Sequence, residues 1–464
     1  MAVTRTDSVG SVSMRSATAL LLFALSSLAI GCGDDSAVRV LPDAPAEDAG
    51  PCDWTFSAGG FLADTAEDVL ALPDGDVIVV GIVETPDSSL GAAAGGFVTR
   101  LSTTGTVVWT NTFADTHPLD VDVGHDGTLV VMGTASSNVP CAEFHGATDA
   151  WFAELSPADG TLMRSLCIGG DDDESATAIR VGTNATGKYY QITGTTDSHA
   201  DGNIGPKHGG GGYDSPDVMY AYFYPDLPLG PTNPRGVCFG SSGSERGVGF
   251  LSDGTILGNT FGVDDGDLVG LPYDQLSDTL ILKPSNFDAC STTTGGCDVS
   301  AARVGGNDSD GILAMVPTGL VAGTTRSTSG QLFCTGSEVW LAKLDATAST
   351  YVGQGCLSGA ATLEDITELG TSVAIVGTGS IAGDFTEAIR VGTSPPGPGS
   401  LGYVGIYDAA DFDTPEELVI MLDPRRVAFK GVAIRPDRCV VAVGAASPPT
   451  GSPDAFVYTR RLPN

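Results

Sequence analysis

Asp68-Val69-Leu70-Ala71-Leu72-Pro73-Asp74-Gly75-Asp76-Val77-Ile78-Val79-Val80-Gly81 is the stretch from which the rest of the chain can be read. Two apolar runs flank a Pro-Asp-Gly-Asp corner, and the second run ends in glycine. An Asp-Gly pair between such runs marks a hairpin, because glycine accepts the positive φ that a tight turn demands. Residues 120–133 (DVDVGHDGTLVVMG) repeat the pattern at the same length. Looser copies follow at 178–194, 247–262, 311–323, 364–377 and 431–444. The closing glycines are then Gly81, Gly133, Gly194, Gly262, Gly323, Gly377 and Gly444. A unit recurring every ~50–70 residues cannot bury its own apolar face and must stack on its neighbours.

Each copy is followed by an acidic residue or glycine and an alternating aromatic and aliphatic run. Examples are Gly96-Phe97-Val98-Thr99-Arg100-Leu101, Asp149-Ala150-Trp151-Phe152 and Asp454-Ala455-Phe456-Val457-Tyr458. Fourth short strands are expected at 107–113, 161–170, 236–242, 297–306 and 351–359, each before a Gly-rich corner. Four strands per unit is the blade pattern of a propeller. The last unit ends on its third strand, and residues 52–57 (CDWTFS) offer the missing outer one. The fold expected is therefore all-β, a seven-bladed β-propeller closed by an N-terminal strand, with no exposed sheet edge left at the seam. Residues 52–464 form that single domain.

The unit resembles the propeller repeats of bacterial exported surface lipoproteins, which read GG…D, a DG turn, a strand ending in G, an HG loop and D-x-W-x-x-x-L. Here the matching residues include Asp197, His199, Asp201-Gly202-Asn203, His208-Gly209, His145-Gly146 before Asp149-Ala150-Trp151, and Asp264-Asp265-Gly266-Asp267. The resemblance implies a fold and an exported location, and says little of activity, since one fold hosts many functions.

The N-terminus points the same way. Arg5 and Arg15 precede an apolar run at 17–30 that is ~14 residues long, short of the roughly 20 a membrane helix needs. Leu28-Ala29-Ile30-Gly31-Cys32 resembles a bacterial lipobox, although Ala29 stands where leucine is usual. That resemblance implies a signal peptide over 1–31, lipidation at Cys32 and attachment to a membrane. Gly33 after the cysteine implies the outer membrane or cell surface. An ordinary secretory signal with an incidental cysteine, and a periplasmic or secreted protein, is the alternative. Residues 32–51 are acidic and rich in Pro and Ala, and read as a flexible tether.

Nine further cysteines lie beyond Cys32 in a chain read as exported, where disulfides are expected. The repeat sorts them. Cys141 and Cys334 precede a third strand, while Cys167 and Cys356 end the fourth strand of the same units. Bridges Cys141–Cys167 and Cys334–Cys356 follow. Cys290 and Cys297 suit a local staple, and Cys52 with Cys439 would clamp the closing blade. Cys238 is left over.

Composition narrows the function classes. The chain has 464 residues, 63 of them Gly, and a formal charge of −35. A hydrophobic share of 42% and a mean hydropathy of +0.12 exclude a mostly disordered chain. So much acid without a basic patch argues against a nucleic-acid partner. Asp201, Asn203, Asp264, Asp265, Asp267, Asp308 and Asp310 lie in short acidic loops that supply oxygen ligands of the kind Ca²⁺ takes. None completes the closed calcium loop with its final Glu, and acidic turns that keep a surface soluble are the plainer reading. No HExxH, CxxC or GxSxG occurs. Gly397-Pro398-Gly399-Ser400-Leu401-Gly402 has nucleotide-loop spacing, but precedes a strand rather than a helix. No catalytic residue and no required cofactor is assigned.

The expected function is a tethered, non-enzymatic binding or scaffold propeller for a protein or glycan partner. A propeller enzyme of hydrolase or lyase type and a Ca²⁺-stabilised structural ring are the alternatives. A funnel holding paired carboxylates, or a His with an orienting acid, would distinguish the enzyme.

Overall fold

The computed structural model describes residues 52–462 except 53, 60–62, 85–93, 139–140, 142, 199–203, 205–214, 230–232, 262–276, 285–298, 332–333, 335–337, 346–349, 359, 380–388, 392–400, 422–425 and 449–451. Among the described residues regular structure is strand, apart from one 3₁₀ turn at His125–Gly127. No helix among them is long and apolar enough to cross a membrane.

Seven antiparallel sheets follow one another along the chain. Blade 1 runs Asp64–Ala71, Val77–Val83, Gly95–Leu101 and Val107–Phe113, and blade 2 Thr116–Val123, Leu129–Ala135, Asp149–Leu155 and Leu162–Ile168. Blades 3, 4 and 5 begin at Glu174–Asn184, Glu245–Phe250 and Asp310–Met315 and repeat the order, innermost strand first. The seventh sheet orders Thr55–Ala58, Asp454–Arg461, Cys439–Ser447 and Arg426–Ile434, so the first strand of the domain completes the last blade. Thr55 pairs with Tyr458 and Ala58 with Ala455. The protein is a seven-bladed β-propeller.

Blade 6 departs from the expectation. Its outer strand, Glu417–Met421, had no counterpart in the repeat, and Ile389–Val391 adds a fifth strand parallel to it. The intervening sequence is Pro- and Gly-rich and masks the period.

The core lies between blades rather than within them. Ile78, Val80 and Val98 of blade 1 pack on Val121, Leu129, Val131 and Trp151 of blade 2. Trp151 is 1% exposed, and its ring stands 5.3 Å from that of Phe113 in the neighbouring blade. Each such wall is completed only by the next unit, so the ring closes or leaves one wall wet.

The seam carries several bonds. Cys52 and Cys439 form a disulfide with Cα atoms 5.9 Å apart. Trp54 N–H donates to Thr459 Oγ1 at 2.9 Å, and its indole N–H to the Thr103 carbonyl at 3.0 Å. Gly105, at φ +77°, lies under that indole, where a Cβ would sit 2.7 Å from the ring. Arg435, 1% exposed, bonds the same Thr103 carbonyl and pairs with Asp437 at 2.9 Å. The other expected bridges within the described residues are present, Cys141–Cys167 and Cys334–Cys356. Cys238 is buried and stands outside all three, and Cys290 and Cys297 lie outside the described residues.

Candidate functional site

The glycine that ends each second strand explains how the site is built. At Gly81, Gly133, Gly194, Gly258, Gly323, Gly377 and Gly444 a Cβ would overlap a carbonyl oxygen of the innermost strand. That carbonyl is pushed inward because every innermost strand carries a β-bulge at this point, such as Ala66/Asp68, Pro118/Asp120 and Gly247/Gly249. In blade 4 the glycine in register is Gly258, not the expected Gly262; the Asn259-Thr260 that follows it continues the strand. A bulge adds one residue and re-aims those beside it. Here it re-aims residues of every innermost strand.

Those residues line a central channel of about 420 Å³ to which the innermost strands of all seven blades contribute. Its wall has two chemistries. Blades 6, 7, 1 and 2 supply Glu364 and Asp365, Lys430, Glu67 and Asp68, and Asp120 and Asp122. Blades 3, 4 and 5 supply Thr177 and Ala178, Val248 and Gly249, and Leu313, Ala314 and Met315, with Arg246 as their cation.

Asp68 and Asp120 hydrogen-bond each other side chain to side chain. Burial, then the charge of Asp365, pushes Asp68 up to about 7 against bonds from Asp120, Val121 N–H (2.9 Å) and Val69 N–H. Burial raises Asp120 well above the usual carboxyl range, and the charge of Asp68 adds to it, so Asp120 is the donor of the pair. Asp365 is raised to about 7 by burial, although its carboxylate accepts from Val432 N–H at 2.8 Å and Ile366 N–H at 2.7 Å. One oxygen of Asp68 thus ties blade 1 to blade 2, and one of Asp365 ties blade 6 to blade 7. Burial opposes the ionised form of Glu67, but bonds from His117 and Thr65 hold it below its ordinary value; His117 Nε2 lies 3.4 Å from Glu67 Oε1. Lys430 Nζ pairs with Glu364 at 3.2 Å.

None of these side chains was among the residues singled out from the sequence. Asp68, Asp120 and Glu364 open three of the repeat copies, and that shared position beside an apolar run was the available signal. Of the loop residues proposed for Ca²⁺, Asp201, Asn203, Asp264, Asp265 and Asp267 lie outside the described residues, as does Cys32. Asp310 is 1% exposed, and its carboxylate accepts from Thr325 Oγ1, Gly306 N–H and, at 2.9 Å, Ser327 Oγ. Asp308 caps its own turn through Ser309 N–H at 2.7 Å. No cluster of three or more His, Cys, Asp or Glu with metal-holding geometry occurs among the described residues. His125 is buried in its turn, with Nε2 3.1 Å from the Tyr189 carbonyl.

No family model and no curated protein matches the chain. Among solved structures it is similar to the PQQ domain of pyranose dehydrogenase from Coprinopsis cinerea, at 12% identity over 88% of this chain and 98% of that one, with a TM-score of 0.35. It is similar to an acylaminoacyl peptidase from Pyrococcus horikoshii at 9% identity over 88% of this chain and 52% of that one (TM-score 0.39). The Dos1 propeller matches at 10% identity over 84% and 69%, with a TM-score of 0.27. The propeller assignment rests on the seven sheets themselves.

Proposed function

We propose that this chain is a membrane-tethered, non-enzymatic binding propeller whose channel receives the cationic, partly apolar end of a protein ligand. The observation that carries the reading is the two-chemistry wall. Burial raises Asp68, Asp120 and Asp365 toward their protonated forms, which a bound ammonium or guanidinium group would reverse, while Val248, Leu313 and Met315 line the arc where a hydrocarbon stem would lie. The proposed membrane attachment rests on Cys32 and the lipobox resemblance, with the outer membrane or cell surface as the address that resemblance implies.

Calorimetry on residues 52–464 with a short peptide bearing Lys between leucines tests this. Binding is expected to release protons, to tighten as the pH is raised from 5 to 7, and to weaken at least tenfold in Asp68→Asn and for the acetyl-lysine peptide. Equal affinity for both peptides overturns the reading. The Asp68–Asp120 pair favours a second reading, since a protonated carboxyl beside a carboxylate is an acid–base couple. Cleavage of the peptide, lost in Asp120→Asn, would support that enzyme instead.

A further inference from the structure

One cation in the channel wall is not engaged by the protein. Arg246 is the second residue of the innermost strand Glu245–Phe250, is exposed, and lines the channel. It makes no hydrogen bond or ion pair with the described residues. Other arginines of the ring are committed: Arg100 holds Asp74 and Asp76, Arg435 holds Asp437, and Arg460 holds Glu417. Lys430, also in the channel wall, is paired with Glu364. Register places Arg246 two residues before the bulged Val248. The same position in the other blades carries Thr65, His117, Ser175, Gly311, Thr362 and Ala428, so only blade 4 brings a permanent charge there. Thr65 and His117 both turn to Glu67, at 2.7 and 3.4 Å. A guanidinium left open in a wall so rich in acid points to a negative group brought by the ligand.

We infer that Arg246 is an anion-binding subsite, and that the channel takes the C-terminal residue of a peptide chain ending in lysine, with its terminal carboxylate on Arg246 and its ammonium on Asp68, Asp120 and Asp365. The inference rests on the channel reading above and adds to it which end of the ligand enters. Blade 4 stands three blades from blade 7 and three from blade 1, so Arg246 faces the acidic arc across the channel. Asp68, Asp120 and Asp365 directly follow their bulges, as Gly249 does in blade 4. Arg246 pairs with Asn259 and Gly249 with Leu257, two residues apart on the second strand, which is roughly 7 Å at ~3.3 Å per residue. A terminal lysine separates its carboxylate from its ammonium by about that gap, and the stem of Arg246 adds reach. Guanidinium meets a carboxylate through two parallel N–H bonds. Val248, Leu313 and Met315 lie on the arc of Arg246, where the lysine stem would pass. An internal lysine offers an amide in place of the carboxylate. A channel of about 420 Å³ also admits the end of a chain more readily than a stretch that must enter and leave.

Calorimetry on the full-length protein at pH 7, with the peptide Leu-Leu-Lys as the free acid and as the C-terminal amide, tests the subsite. The free acid is expected to bind the wild type about tenfold more tightly than the amide, or better. In Arg246→Gln the two peptides should bind alike, at the affinity of the amide for the wild type. Arg246→Lys, which keeps the charge and loses the fork, should restore part of the preference. Because Arg246 holds no described partner, both variants should melt where the wild type does, and the peptide pair on the wild type needs no variant at all. Equal binding of both peptides to the wild type, or a preference that survives in Arg246→Gln, overturns the inference and leaves the channel reading in place. Binding of neither peptide overturns both.

Discussion

A single methyl group is enough to test how the channel is made. Gly133 sits opposite the bulge at Pro118/Asp120, and a Cβ there would overlap the His117 carbonyl, which is backbone and cannot rotate away. Gly133→Ala is expected to destabilise the protein by about 1–3 kcal/mol, the usual cost of overpacking, seen as a lower urea midpoint with an unchanged slope. Gly127, where nothing lies within 4 Å of a built Cβ, is the control for the methyl group itself, although its φ of +78° adds a backbone penalty. Six of the seven bulge-facing glycines were legible from the sequence because they recur at one position in the repeat; in blade 4 the expectation fell on Gly262 where Gly258 is in register. Asp68 and Asp120 were on the page in the same copies, yet a bulge has no compositional mark, so nothing showed that these carboxyls turn inward while Val69 and Val121 turn to the core. The acidic loops drew attention instead because clustered carboxylates are visible in sequence and convergence across a ring is not.

At the scale of strands and bridges, the seam decides the stability of the ring. The Cys52–Cys439 bridge spans 387 residues and Cys334–Cys356 only 22. In the chain-entropy account a longer loop gains more, ~3 kcal/mol at 15 residues and ~4.7 at 100. Replacing Cys52 and Cys439 together by Ala should therefore cost about 2–5 kcal/mol and exceed the loss from the Cys334/Cys356 double replacement in the same urea titration. The opposite order would mean that Thr55–Ala58, Trp54 and Arg435 hold the seam without the bridge. Blade equivalence made these pairings legible. It failed at blade 6, where Ile389–Val391 joins by a parallel pairing that no hairpin signal announces.

Over the whole molecule, charge and burial act in the same direction. The carboxyls of Asp68, Asp120, Asp149, Glu174, Asp310 and Asp365 are all raised in the folded chain, chiefly by burial. A raised acid binds its proton more tightly when folded, so its contribution is complete below the ordinary carboxyl range near 4 and is lost as the pH rises through its folded value, about 7 for Asp68, Asp149 and Asp365. The formal charge of −35 adds surface repulsion over the same interval. The melting temperature is expected to be higher at pH 5 than at pH 8. Half-molar salt should recover more of the surface share than of the buried share, because buried groups are screened much less than exposed ones. A melting temperature that is flat or rises from pH 5 to 8 would contradict this.

The order of attachments along the first few residues of the domain has a mechanical meaning. Cys52 comes before Trp54 and the four-residue strand Thr55–Ala58. A pull applied at Cys52 meets a covalent bond before it meets the hydrogen bonds of Trp54 and of Thr55–Ala58. Force then passes from Cys52 directly into Cys439 and the well-paired strand Cys439–Ser447 at the heart of blade 7. The short closing strand carries none of it, so the ring is sealed by a weak element that the bridge shields from being peeled away.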